Sequence, residues 1–156
     1  MTTTATVEIS PCTVADMANH AREMFREHWE EVAKLKHLMV LSPNWDRYGQ
    51  LAVAGVLLAI AAWEGPRMVG YSANVITNHL HYRDLVVCQN DVLFVAQSHR
   101  KSSVGIRLMR ETERLAAERG AKLMLWHAKP ETTLDRMLGR EGSGYSVQDI
   151  IYAKEL

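Results

Sequence analysis

The residue types best suited to chemistry lie in a short polar loop, residues 97–103. The loop follows an apolar run at residues 92–95 and leads into a segment whose apolar residues recur at helical spacing. Three small residues, Ser102, Ser103 and Gly105, let backbone N–H groups approach a ligand closely. The first turn of a helix has unpaired N–H donors and the positive end of the helix dipole. This order of strand, loop and helix start predicts an anion or phosphate site.

Two basic residues, Arg100 and Lys101, lie at the mouth of this predicted site. Their positive charges suit a pyrophosphate or a ribose phosphate. The Walker pattern G-x-x-x-x-G-K-[ST] is absent, and so is the dinucleotide fingerprint G-x-G-x-x-G. The alternative interpretation is a helix that Ser102 or Ser103 caps, with no ligand.

Residues 100–105, Arg-Lys-Ser-Ser-Val-Gly, resemble the acyl-CoA loop of the GNAT superfamily of N-acetyltransferases, usually written [QR]-x-x-G-x-[GA]. Ser103 stands where the first glycine is usual, which alters one amide contact to the pyrophosphate. The resemblance implies acetyl-CoA as co-substrate. It also implies that main-chain groups at the strand end hold the pantetheine arm, namely those of Phe94, Val95 and Ala96. Backbone amides of the loop would hold the pyrophosphate, namely those of Arg100, Lys101, Ser102, Ser103, Val104, Gly105 and Ile106.

In this family an amine attacks the thioester directly, while a base removes its proton and an acid meets the leaving thiolate. Asp91 opens the strand that leads to the loop, near the place where many members have a carboxylate base. The alternative is that Asp91 is only a turn residue that follows Gln89 and Asn90.

The general acid is harder to assign. Many members carry a tyrosine a few residues before a Gly-aromatic pair. Gly144 and Tyr145 resemble that pair, but residues 134–140 contain no tyrosine. His127, at the end of a predicted buried strand, is the best substitute because imidazole titrates near neutrality. A hydrogen-bonded packing role for His127 is the alternative, and Tyr145 and Lys129 are lesser candidates.

Three residues before the loop, His79, His81 and Tyr82, are predicted to line the acceptor groove by analogy with the fold. His79 and His81 would share one face of a strand. Together with His99 or His127 they have no recognised metal-ligand spacing, so no metal site is predicted. Cys88 has no Cys-His signature around it, and a buried apolar role is expected.

The first half of the chain predicts helices followed by strands. Residues 14–33 have apolar side chains at spacings of three and four, which predicts one long amphipathic helix. A second, shorter helix is expected from Trp45 to Ala54. The apolar residues 56–62 and 67–77 predict two antiparallel strands, and residues 82–97 hold a third.

In the second half the period becomes helical again over residues 103–120, with Gly120 as the helix end. A buried strand at 122–127, a short helix at 131–140 and a final strand at 147–153 follow. The predicted fold class is α/β: a single mixed, mostly antiparallel sheet flanked by helices, with a parallel β-α-β crossover. This is the acyl-CoA N-acyltransferase fold of the GNAT superfamily.

The composition of the chain limits its domain number, its partners and its location. The chain has 156 residues, 47% hydrophobic and 23% charged, which fits one domain over residues 1–156. Eighteen basic and eighteen acidic residues give zero formal charge, so a nucleic-acid partner is not expected. The longest apolar run, residues 56–62, is too short to cross a membrane. Two cysteines and an N-terminus without a secretory pattern favour a cytoplasmic location.

The sequence thus predicts an acetyl-CoA-dependent N-acetyltransferase that acts on a primary amine of a small molecule, peptide or protein. The alternatives are a GNAT-fold regulatory protein that binds acyl-CoA with weak or no turnover, and an enzyme with a longer acyl donor. A homodimer is possible, with Trp45 and Trp63 as contacts, although core packing suits both indoles better.

Overall fold

A computed structural model describes residues 6–156, in which five strands form one sheet. The strands follow one another across the sheet in chain order: β1 (Val7–Pro11), β2 (Leu57–Glu64), β3 (Arg67–Asn78), β4 (Val86–Val95) and β5 (Leu123–Leu125). Neighbours from β1 to β4 are antiparallel, and β5 is parallel to β4. The predicted fold class is confirmed. The expectation about a secretory signal concerns residues 1–5, which lie outside the described residues.

Three helices cover one face of the sheet: α1 (Val14–His20), α2 (Arg22–Val32) and α3 (Trp45–Val53). Their apolar side chains form a core with β2, β3 and β4, and both Trp45 and Trp63 pack against that core. The predicted single helix over residues 14–33 is wrong, because Ala21 has φ −95° and ψ 2° and separates α1 from α2. The bend keeps Met17, Ala21 and Met24 buried against the sheet, so the predicted apolar stripe is retained.

The opposite face is covered by α4 (Val104–Glu118), which connects β4 to its parallel neighbour β5. Its buried residues Val104, Leu108 and Ala116 belong to the core on that face. Gly120 follows the helix with φ 90°, as the sequence predicts for a helix end. Gly70 of β3 permits close packing here, since a Cβ atom would lie 3.0 Å from Leu108 Cδ1 and 3.1 Å from the Phe94 carbonyl oxygen.

The end of the chain differs from the prediction. After α5 (Thr133–Leu138), residues 145–156 form no strand, so the predicted strand at 147–153 is wrong. Val147, Ile150, Ile151 and Tyr152 are 71–89% exposed. A strand requires a partner along its length, and β5 at this edge has only three residues. In the described part of the chain, no helix is long and apolar enough to cross a membrane.

Candidate functional site

The centre of the candidate site is an irregularity in β4. Ala73 of β3 pairs with Val92, whereas the next residue, Asn74, pairs with Asn90. Asp91 is therefore left over between two paired residues, which is a β-bulge. A bulge redirects the side chain of the extra residue, and the Asp91 side chain is exposed.

Buried amides hold this bulge in place. Asn90 Nδ2 donates to Asn74 Oδ1 at 2.9 Å and to the Val92 carbonyl oxygen at 3.0 Å. Asn74 Nδ2 in turn donates to the Leu58 carbonyl oxygen at 3.1 Å and to Ser72 Oγ at 2.9 Å. Both asparagines are buried, and their side-chain amides form hydrogen bonds with other protein atoms instead of water. The position of Asp91 therefore depends on a side-chain network in the core.

We expect Asn90→Ala to destabilise the fold by about 3 kcal/mol, because it leaves Asn74 Oδ1 and the Val92 carbonyl without their donor. Urea unfolding measures the free energy of unfolding directly. Asn78→Ala is the matched control, since Asn78 is exposed and donates to the Arg83 carbonyl oxygen on the surface. A loss at Asn90 no larger than that of the control would contradict the role of the network.

Two tyrosines lie beside the bulge. Tyr48 of α3 donates its hydroxyl hydrogen to Asp91 Oδ2. Burial, followed by the Asp91 contact, raises the pKa of Tyr48, so this phenol stays protonated. Tyr71 of β3 is buried, and its hydroxyl has no hydrogen-bond partner among the described residues. The pKa of Tyr71 is raised by burial first and then by the nearby Tyr48 and Asp91.

A histidine that sequence reasoning missed lies on the same face. The His28 ring of α2 packs on the Phe94 ring with 5.0 Å between centroids and 32° between planes. Burial is the main cause that lowers the pKa of His28. No local signal marks Tyr48 or His28, because both reach β4 only through the packing of helices on the sheet.

The start of α4 carries the predicted anion site. Three of the seven amides have partners: Arg100 N–H donates to Gln97 O (3.4 Å), Ser102 N–H to His99 O (3.1 Å) and Val104 N–H to Ser102 Oγ (3.3 Å). The other four have no acceptor within residues 6–156; they belong to Lys101, Ser103, Gly105 and Ile106. The Ser103 side chain makes no capping bond. The helix start therefore offers four backbone donors to a ligand.

Gly105 has a special place in this helix start. A Cβ atom there would meet only Val95 Cγ2 at 3.7 Å, which is an ordinary contact. The fold itself therefore accepts a side chain at this position. Without one, the free amides of the first turn stay open to a ligand.

Arg100 points away from the helix start. Its Nε donates to the Val95 carbonyl oxygen at 2.9 Å, and its Nη2 pairs with Glu31 Oε1 at 2.9 Å. The guanidinium also lies 4.9 Å from the centroid of the Phe94 ring. Arg100 thus covers the end of β4, where the sequence predicts main-chain contacts to a ligand at Phe94, Val95 and Ala96. A ligand that uses the Val95 carbonyl must displace Arg100.

Beyond the bulge, β4 and β5 separate. Their ladder runs from Val87 with Leu123 to Gln89 with Leu125, and β4 continues to Val95. From residue 90 onward, no strand of the described chain pairs with this edge of β4. The sheet is therefore open between the bulge and the loop, which are the two parts of the candidate site.

The two predicted general acids, His127 and Tyr145, contact different elements of the fold. His127 is exposed just after β5, with its Nε2 3.4 Å from Gln89 Nε2, two residues from Asp91. Tyr145 donates its hydroxyl hydrogen to Glu113 Oε1 of α4 at 2.6 Å. Burial, and then Glu113, raise the pKa of Tyr145 to about 12. His127 thus lies close to the bulge strand, whereas Tyr145 is held by α4.

The predicted acceptor residues cluster in the loop between β3 and β4. The His79 ring lies 4.7 Å from the Tyr82 ring and 6.0 Å from the His81 ring. This loop precedes Val86, so about 30 Å of β4 separates it from Val95 at the usual rise of a strand. The three side chains are therefore together, at the far end of β4 from the anion site.

Metal and thiol chemistry find little support in the described residues. No group of three histidine, cysteine, aspartate or glutamate side chains within residues 6–156 is placed to hold a metal ion. Cys88 is buried in the core on the α4 face, and burial raises the pKa of its thiol to about 11. A thiol with that pKa is a poor nucleophile at neutral pH.

Comparison with known proteins identifies the fold, although the sequence identities are low. No family model matches the chain, and no curated protein matches its sequence. A ribosomal-protein-alanine N-acetyltransferase from Brucella melitensis biovar Abortus 2308 matches with a TM-score of 0.70 at 16% identity, over 97% of this chain and 99% of that chain. Glucosamine-6-phosphate N-acetyltransferase from Arabidopsis thaliana matches with a TM-score of 0.72 at 13% identity, over 96% and 98%.

A third solved structure, a transcriptional regulator from Bacillus halodurans C-125, matches with a TM-score of 0.66 at 19% identity, over 94% of this chain and 100% of that chain. Similarities of this kind establish the fold. The chain has the fold of the GNAT acetyltransferases, as the sequence resemblance predicts.

Proposed function

We propose that this protein is an acetyl-CoA-dependent N-acetyltransferase that moves an acetyl group to a primary amine. The observation that carries the proposal is the set of four free backbone donors at the start of α4, beside the open end of β4. Acetyltransferases with the same fold add general support. We also propose a cytoplasmic location, in keeping with the two free cysteines, Cys12 and Cys88.

The residues present fit the phosphate part of acetyl-CoA. The free amides of the first turn of α4 suit a pyrophosphate, because donors and helix dipole act together on a negative group. Lys101 is exposed at the mouth and adds a positive charge. We propose that main-chain groups of Phe94, Val95 and Ala96 bind the pantetheine arm once Arg100 has moved. Acetyl-CoA supplies the activated acetyl group.

The bulge residue is proposed to act on the acceptor. The Asp91 carboxylate, held by the Tyr48 hydroxyl, would bind the ammonium form of the amine and promote loss of its proton. An acid near the leaving thiolate adds to the rate, and His127 is the proposed candidate, with Tyr145 second. General acid–base catalysis contributes about 10²–10⁴ in rate.

The acceptor is proposed only as a class. The names of the two acetyltransferases above mention a ribosomal-protein alanine and glucosamine 6-phosphate. These are different kinds of amine, so they do not indicate which kind this chain would acetylate. His79, His81 and Tyr82 are proposed to border the acceptor at the far end of β4.

Thiol release tests the proposal. The panel comprises spermidine, tyramine, glucosamine 6-phosphate and a peptide with N-terminal alanine, each with acetyl-CoA and a thiol reagent. We expect thiol release with at least one amine and a product heavier by one acetyl group. An absence of thiol release with every amine of the panel would contradict the proposal.

A GNAT-fold regulatory protein that binds acyl-CoA without turnover is the second candidate. Arg100 over the end of β4, the absence of a tyrosine in α5 and the match to a transcriptional regulator favour it. Binding of acetyl-CoA without thiol release on any amine would support this candidate. Competition between acetyl-CoA and longer acyl-CoA esters tests the remaining alternative, a different acyl donor.

We expect Glu31→Gln to raise the affinity for CoA about two- to fivefold. The substitution removes the ion pair that holds Arg100 over Val95, and a partly exposed pair of this kind contributes about 0.3–1 kcal/mol. Calorimetry with CoA measures the change. Glu30→Gln, one position earlier and exposed, is the matched control. Unchanged or weaker binding by the Glu31 variant would mean that Arg100 does not compete with the ligand.

A further inference from the structure

His28 packs on the strand that joins the two parts of the candidate site. Its ring packs on Phe94, whose ring also lies 4.9 Å from the Arg100 guanidinium carbon. Phe94 is three residues after the bulge and two residues before the end of the apolar segment at Ala96. Phe94 thus links His28 to the strand that contains the bulge and to Arg100 of the anion loop.

Charged groups from four elements act electrostatically on the His28 ring: Glu31 of α2, Asp91 of β4, Arg100 of the loop and Lys129 after β5. Burial has the largest effect and lowers the pKa of His28; Arg100 and Lys129 lower it further, whereas Glu31 and Asp91 raise it. The ring is therefore neutral at physiological pH. No described residue hydrogen-bonds either ring nitrogen, so both are available.

Other candidate bases in the site are already engaged. Asp91 accepts the hydrogen bond of Tyr48, and the exposed His127 ring lies beside the Gln89 amide. The His99 ring lies 2.8 Å from Ser98 Oγ and 3.4 Å from Glu64 Oε1. His28 combines a neutral ring, free nitrogens and a position near the bulge. Imidazole also accepts and returns a proton near neutral pH, which suits repeated turnover.

We propose that His28 is the proton acceptor of the acetyl transfer, with Asp91 holding the acceptor ammonium beside it. This inference rests on the function proposed above. The ammonium gives one proton to a ring nitrogen of His28, and the freed nitrogen lone pair forms the C–N bond. The C–S bond then breaks, and its electron pair leaves on the CoA sulfur. The general acid, for which His127 is proposed, gives a proton to that thiolate and regains one from the new amide nitrogen. His28 then returns its proton to solvent.

The carboxylates of Asp91 and Glu31 stabilise the imidazolium formed in this step, since opposite charges nearby favour the charged form. Arg100 opposes it as long as it stays over Phe94. Displacement of Arg100 by the co-substrate would thus make His28 a better base when the substrate is bound.

The test compares His28→Asn with His20→Asn, a control on α1 whose ring packs edge-on against Trp63. The assay is thiol release from acetyl-CoA with the fastest amine of the panel above. We expect His28→Asn to lower kcat by about 10²–10⁴, with CoA affinity within twofold of wild type. The control variant should stay within twofold of wild type in both.

The pH profile separates a base from a packing residue. In the wild type, activity should fall on the acid side with an inflection below about 6.5, the ordinary histidine value, and the His28 variant should lack this inflection. NMR titration of the histidine rings, assigned with the variant, should give the same inflection for His28. A kcat of the His28 variant within threefold of wild type overturns the role of His28 and leaves the proposed function standing. Absence of thiol release in the wild type overturns the proposed function and this role with it.

Discussion

Replacing Gly105 with valine is expected to abolish measurable binding of acetyl-CoA while the chain stays folded. The Cβ atom itself fits, with only Val95 Cγ2 at 3.7 Å, and a β-branched side chain then covers the neighbouring free amides. Loss of two hydrogen bonds to a charged group, at about 1.5–3 kcal/mol each, weakens binding by at least 10²-fold. Calorimetry with acetyl-CoA measures this loss, and thermal unfolding checks the fold.

Gly49→Val is the matched control for this variant. Gly49 lies inside α3, and a Cβ atom there would have no neighbour within 4 Å. The control should bind acetyl-CoA as the wild type does. Equal affinity of the Gly105 variant and the wild type would mean that the first turn of α4 does not hold the ligand.

Replacing Asp91 with asparagine is expected to lower kcat by about 10²–10³ and to leave the Kd for acetyl-CoA within twofold of wild type. The amide keeps the shape of the side chain and an oxygen for the Tyr48 hydroxyl, but it removes the charge that would bind an ammonium group. Thiol release with the best amine of the panel measures the effect. Because the substitution leaves the anion site intact, it separates an effect on kcat from an effect on acetyl-CoA binding.

Two further variants make this result specific. Asp46→Asn changes an exposed carboxylate of α3 by the same chemistry and should leave kcat unchanged. Tyr48→Phe removes one hydrogen bond to Asp91 and should lower kcat by about tenfold. A kcat of the Asp91 variant within threefold of wild type would contradict a role for the bulge carboxylate.

Local patterns were sufficient to predict most elements of the fold. The predicted helix over residues 103–120 corresponds to α4, and the apolar runs before it correspond to β2, β3 and β4. The spacing of small residues also predicted free amides at the start of α4, because that property belongs to a single turn of backbone. Features that depend on a few adjacent residues can therefore be read from this sequence.

Features that depend on tertiary packing could not be predicted in the same way. The break at Ala21 arises where α1 and α2 follow the sheet, although the apolar spacing continues through it. Residues 147–153 have an apolar pattern typical of a strand, but the structure gives them no paired neighbour. Strand formation needs such a neighbour, and a local pattern does not specify one.

The residues of the candidate site show the same difference between local features and features that depend on tertiary packing. Asp91 was predicted from its place before the loop, whereas Tyr48 lies 43 residues away and reaches Asp91 only through α3. Arg100 was expected at the phosphate, and its ion pair with Glu31 on α2 places it over Val95 instead. Both contacts depend on how the helices pack on the sheet, which no spacing in the sequence records.

An amide-resolved NMR titration with CoA examines the proposed diphosphate site most directly. Uniformly ¹⁵N-labelled protein is followed by two-dimensional spectra as CoA is added, with inorganic phosphate as a reference anion. We expect saturable shifts that are largest at the four free amides of Lys101, Ser103, Gly105 and Ile106. No shift at these amides with saturating CoA, or shifts confined to another surface, would contradict the account.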